Sequence, residues 1–177
     1  FRQAIALNGS HADARCNLAL VLLQMGVFGE GLREYEWRTG SKQWGNRKFR
    51  QPRWNGESLQ KRKILIPSEQ GLGDTISFAR FLPAASKKAK YIHACVQPEL
   101  MRLFVHAFVG LPNVNIVAKP TPFLPAGYWS TFVSLPYALG LDDEQIRNTV
   151  AIDPPAAGIG VNWRQGGKKL HVGVSWR

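Results

Sequence analysis

Residues 69–81 read EQGLGDTISFARF, and their types and spacing could do chemistry. Gly71 and Gly73 bracket a leucine, Asp74 follows, and the pattern then turns helical. A glycine turn before a helix can serve three ends. The first is phosphate binding. A dinucleotide fingerprint needs G-x-G-x-x-G, and Ile76 stands where the third glycine belongs. A P-loop needs Gly-Lys-Ser/Thr, but Asp74 takes the place of the lysine, where its charge would repel a phosphate at the helix N-terminus. That reading is set aside. The second is capping: the Asp74 carboxylate can accept a backbone N–H two or three residues on, with Gly73 supplying an unusual backbone angle. The third is proton transfer, because an ionised carboxylate in a crevice can take a proton from a substrate hydroxyl.

Location bears on the choice between the last two. KILIP (63–67), just upstream, reads as a strand, as do YIHACVQ (91–97), NVNIVAK (113–119) and STFVSL (130–135). DTISFARFLPAASKKA (74–89) and PELMRLFVHAF (98–108) read as helices, and PYALGL (136–141) begins a short one. Strands alternating with helices of these lengths predict an α/β, Rossmann-like, mostly parallel sheet. In such sheets the functional crevice lies beyond the carboxyl ends of the strands, which is where a residue shortly after the first strand falls.

The N-terminal stretch has a different period. Phe1 and Tyr35 are 34 residues apart, the tetratricopeptide spacing. Residues 12–25 and 28–39 are expected to form an antiparallel helix pair, with Gly26 at the turn and Gly31 as the small contact residue. Leu18, Leu22 and Met25 fall at i, i+4 and i+7 on one face. Between the two regions, Lys42, Arg47, Lys48, Arg50, Arg53, Lys61, Arg62 and Lys63 face only Glu57 and supply much of a net charge of +11. Trp44, Phe49 and Trp54 are interleaved with them. The segment reads either as a stacking platform for nucleic acid or as a connector with anchoring tryptophans, and Pro52, Gly56 and the lack of a period favour the connector.

Composition narrows the rest. Apolar content of 45% and charged content of 20% describe a globular chain. No apolar run reaches the ~18 residues of a membrane span. Cys16 and Cys95 lie far apart in apolar patterns and read as buried, reduced thiols that do not bond to each other, which fits a reducing, cytoplasmic setting. His11, His93, His106 and His171 show no metal-ligand spacing, so no metal is assigned. The chain starts inside a helical pattern without a methionine and stops in VGVSWR, so both ends read as cut.

The stretches HADARCNLALVLLQMGVFGEGLREYEWR and PRWNGESL…ILIPSEQGLGDTISFARFLP together resemble bacterial tetratricopeptide-repeat proteins that carry a domain related to glycosyltransferase family 9, the heptosyltransferase-like enzymes. The resemblance is most specific over residues 69–80, where Gly73, Asp74 and Pro83 match the family's Gly-Asp and following proline. It departs from the repeat pattern at Gly9 and Arg15. It implies the N-terminal half of a GT-B fold and transfer of a sugar from a nucleotide-sugar donor, without a metal or other cofactor. Asp74 would be the base, and Gln70, Gly71, Gly73 and Thr75 would shape the acceptor side. The donor would lie mainly on a second domain that the chain lacks, so the chain alone is expected to be inactive. The expected layout is a repeat segment over 1–40, a basic connector over 41–62, the Rossmann-like domain over 63–152, and a linker with the first strand of a donor domain over 153–177. Expected partners are a protein at the repeats and a glycan or protein acceptor. The rival readings are an adaptor with a degenerate, inactive transferase domain and, less favoured, a nucleic-acid-binding module.

Overall fold

The computed structural model describes residues 1–45, 47–118, 124–150 and 152. Four strands form one parallel sheet: β1 (Leu59–Pro67), β2 (Ala89–Val96), β3 (Val114–Ala118) and β4 (Tyr128–Trp129), in the order β3-β2-β1-β4. Register explains which residues are buried. Ile64 pairs with Ile92 and Ile66 with Ala94, so these share one face with Val96 and lie in the core. Pro67 pairs with Cys95, so β1 and β2 end level, and the Ser68 N–H donates to the Cys95 carbonyl at 2.8 Å. The chain runs outward from β1 to β2 to β3 and then returns to the far side of β1. The strand order therefore reverses between β1 and β4, the position at which open α/β sheets leave a crevice.

Three short helices precede the sheet: α1 (Arg2–Leu7), α2 (Ala12–Gln24) and α3 (Phe28–Tyr35). Gly26, with φ of +76°, turns the chain between α2 and α3. The two helices approach closely at Gly31, where an added Cβ would sit 3.0 Å from the Leu23 side chain and 3.2 Å from its backbone nitrogen. The expected stripe of Leu18, Leu22 and Met25 is corrected. Met25 is 71% exposed and Leu18 only half-buried, while Ala14, Cys16, Ala19 and Leu22 are the buried residues of α2. Small residues take most of the inner positions because the helix packs close, and Leu22 is the one long side chain buried with them. The expectation of a tetratricopeptide hairpin is corrected too: the structure shows two packed helices and nothing in them that marks a repeat. Leu32 of α3 enters the same hydrophobic cluster as Trp54, Ile64, Leu135 and Ile146, so the helices and the sheet share a core.

Helix α4 (Leu72–Ala79) follows β1 and stops short of the long helix expected there. Pro83 lacks the N–H and the φ freedom to continue it, and it instead occupies the first turn of α5 (Leu82–Ser86). Helix α6 (Met101–Ala107) links β2 to β3 and places Phe104 against Phe132 in a perpendicular ring contact at 5.8 Å. The strand expected over 130–135 is not one. β4 ends at Trp129, after which the Ser134 N–H bonds to Thr131 and the Leu135 N–H to Phe132, and α7 (Leu135–Ala138) begins; α8 (Asp143–Asn148) follows. Pro136 in the first turn of α7 favours helix over strand at this point.

No helix among the described residues is long and apolar enough to cross a membrane. Cys16 and Cys95 are buried and no disulfide joins them. The linker and strand expected over 153–177 lie outside the described residues.

Candidate functional site

The carboxyl ends of β2, β1 and β4 collect buried polar atoms. Ser68 Oγ and Glu69 Oε2 follow β1, Ser130 Oγ follows β4 and Gln97 Oε1 follows β2, and none of the four has a hydrogen-bond partner among the described residues. Ser68 is 2% exposed and Ser130 fully buried. An unsatisfied buried polar group costs about 1–3 kcal/mol. Four of them on three adjacent strand ends are concentrated where the fold leaves its crevice.

Beside them lies a buried ion network. Arg38, 4% exposed, donates to Glu69 Oε1 at 2.7 and 3.1 Å, to Glu36 Oε1 at 2.9 Å, to Thr131 Oγ1 at 3.0 Å and to Ser134 Oγ at 2.7 Å. Arg53 pairs with Glu36 and also reaches Ser134 Oγ at 3.1 Å. Two guanidinium groups thus balance two carboxylates; the Ser134 hydroxyl accepts from both arginines, and the Thr131 hydroxyl accepts from Arg38 and donates to Glu69. This arrangement suits buried charge, which is tolerable only when paired and hydrogen-bonded. It ties the turn after α3 to the loops after β1 and β4. Sequence reading missed Arg38, Arg53, Glu69, Thr131 and Ser134 as a group, and no spacing rule links position 38 to 131.

A cavity of about 250 Å³ opens against this network, lined by Tyr35, Arg38, Trp44, Arg47, Glu69 and Gln70. Gln70 donates its amide N–H to the Tyr35 hydroxyl at 2.5 Å. Burial pushes the Tyr35 phenol above its ordinary range, against the lowering effects of the Gln70 bond and Arg38, with smaller raising effects from Glu69 and Cys16. The phenol therefore keeps its proton at neutral pH. The aromatics of the connector face inward: Trp54 is 2% exposed and donates to the Glu57 carbonyl at 2.7 Å, and Phe49 stacks on Trp129 at 4.2 Å. They anchor the connector on the sheet.

The residues picked out from the sequence sit as follows. Gly71, not Asp74, is the N-cap of α4, and Asp74 in the first turn reaches back so that its carboxylate accepts the Gly71 N–H at 3.1 Å. The expected cap is thus corrected in direction: the carboxylate serves an N–H three residues behind it. Gly73 lies inside α4 and is not among the positive-φ glycines, so its expected unusual angle is also corrected. Thr75 is buried, and its hydroxyl bonds the Gly71 carbonyl at 3.1 Å, stiffening the turn. Of the set, Gln70 alone lines the cavity. Asp74 is half-buried beside the crevice, with one carboxylate oxygen holding the loop. Among the described residues no group of His, Cys, Asp and Glu could hold a metal.

No family model matches the chain, and no solved structure matches it. Protein FlbA of Caulobacter vibrioides is 34% identical to it over 108 residues, 58% of this chain and 18% of FlbA. The chain thus spans under a fifth of the length of that relative. These findings overturn the recognition of a tetratricopeptide-repeat protein with a family-9 glycosyltransferase domain, since neither family is matched and the relative's name carries neither assignment. The motifs behind that resemblance have local causes. Close helix packing favours a glycine at position 31, and the first turn of a helix after a strand favours an acidic residue wherever one occurs.

Proposed function

We propose that the chain forms one half of a two-domain sugar transferase, binding a hydroxyl-bearing acceptor at the β1/β4 edge while a nucleotide-sugar donor is held elsewhere in the parent protein. The carrying observation is the cavity beside the β1 loop, to which Tyr35, Gln70, Arg38, Arg47 and Glu69 bring a phenol, an amide, two guanidinium groups and a carboxylate, because a polyhydroxylated ligand supplies donors and acceptors at the density such a lining requires. Asp74 is the base in this reading. Its carboxylate is half-exposed, lies one helical turn from the loop, and is oriented by the Gly71 N–H through a single oxygen, so the other oxygen can accept a proton. Gln70, Gly71 and Thr75 shape the loop, and Gly73 lies in the first turn of α4.

An adaptor role is the second reading. It is favoured by the Asp74–Gly71 bond, which gives the aspartate a structural role that needs no reaction. Asp74→Asn in the parent protein separates the two. Asparagine can still accept the Gly71 N–H but cannot take a proton, so transfer should fall by roughly 10²–10⁴-fold with the fold kept. Wild-type turnover in a stable Asp74→Asn protein would leave only the adaptor.

A further inference from the structure

The cavity on the helical side of the β1 loop has a charge balance that the ion network does not account for. Arg38 and Arg53 are matched by Glu36 and Glu69. Arg47, exposed at the cavity, has no carboxylate partner among the described residues. It spends two of its five N–H donors on carbonyl oxygens, those of Trp44 at 3.0 Å and Glu69 at 3.1 Å. These two bonds, with the Trp44 ring 5.4 Å from its guanidinium carbon, hold the side chain in place while leaving donors for a ligand. The cavity therefore carries a fixed, uncompensated positive charge.

The other walls say what the charge is attached to. The Trp44 ring is itself covered by Arg38, Arg47 and Trp129, and the remaining lining residues bring a phenol, an amide, two guanidinium groups and a carboxylate. Because Gln70 donates to the Tyr35 oxygen, the phenol O–H is left to donate outward, and the side-chain Oε1 of Gln70 is left to accept. Several donors and acceptors with little free apolar surface suit a hydroxylated ring better than an aromatic one. At about 250 Å³ the volume falls below the roughly 300–1,000 Å³ of pockets for drug-sized ligands, which fits one ring and excludes a dinucleotide.

We propose that this cavity binds a single-ring hydroxylated anion, a sugar acid or a sugar phosphate, with Arg47 as its counter-charge. The inference deepens the acceptor reading above by naming the ligand class at the same edge. It requires no turnover: loss of binding with transfer intact would sink this inference alone, and binding without transfer would sink the transferase alone. Calorimetric titration of the chain with glucuronate, glucose 6-phosphate, glucose and inorganic phosphate tests it. At least one of the two anionic sugars should bind, and which one binds identifies the anion. Arg47→Gln, at an exposed position, should keep the melting temperature and weaken that binding about tenfold or more. Tyr35→Phe should weaken it less, since it removes one neutral hydrogen bond. Silence of both anionic sugars at millimolar concentration would overturn the proposal. So would binding that Arg47→Gln leaves unchanged, or inorganic phosphate binding as tightly as glucose 6-phosphate.

Discussion

Glu69, in the loop after β1, and Asp74, in the first turn of α4, are neighbouring carboxylates, and the structure uses them in opposite ways. Glu69 has 3% of its side chain exposed and holds Arg38 through two hydrogen bonds, with Thr131 as a further partner. Asp74 is half-buried and holds a single backbone N–H. A charge enclosed and paired is fixed in place, and removing its partner leaves it stranded in a poor solvent. A charge at a helix start, with water nearby, loses little when its bond is lost and stays open to a substrate. Stability and reactivity are thus divided between neighbours: Glu69 joins the helical segment to the sheet, and Asp74 remains available.

The largest effect that can test this division is Arg38→Ala. It strands Glu36 and Glu69 in a buried site, and chemical denaturation should show a loss of about 3–5 kcal/mol. A loss under about 1 kcal/mol would place Arg38 among ordinary surface pairs and erase the contrast.

His93 on β2 offers an intermediate case, a buried titratable group with no hydrogen-bond partner on either ring nitrogen among the described residues. Burial holds its imidazole below the ordinary histidine range, and nearby Lys63 lowers it further. The unfolded chain therefore binds the proton more readily than the folded one. This contribution to stability is complete above the ordinary histidine pKa of ~6.5 and is lost as pH falls from there toward the lowered folded value. Thermal melts between pH 7.5 and 5, taken as about neutral to mildly acidic, should show a falling midpoint that His93→Gln flattens. An unchanged slope in the variant would show that the imidazole is solvated in the folded chain.

The smallest effect sharpens the Asp74 side. Asp74→Ala removes both the Gly71 bond and the charge at the helix start and should cost about 1 kcal/mol, while Asp74→Asn should cost only a few tenths. Equal losses in the two variants, read from the same denaturation curves, would mean that the charge rather than the hydrogen bond stabilises the turn.

The sequence by itself determined the elements whose signals are local. Alternation of short apolar runs with helical periods gave the parallel sheet, Gly26 marked the turn between α2 and α3, and Gly31 marked their closest approach. It misplaced the last strand because STFVSL is apolar enough for a strand, whereas its Thr131 and Ser134 hydroxyls are taken by Arg38 and its chain turns into α7. It read Asp74 as an N-cap because a side chain's direction along the helix is not written in its spacing. Only the tertiary structure decided the site. Arg38, Glu69, Thr131 and Ser134 become neighbours because β4 returns to the open side of β1 and α3 packs beside it. That meeting depends on long-range strand order, which no local period in the chain encodes.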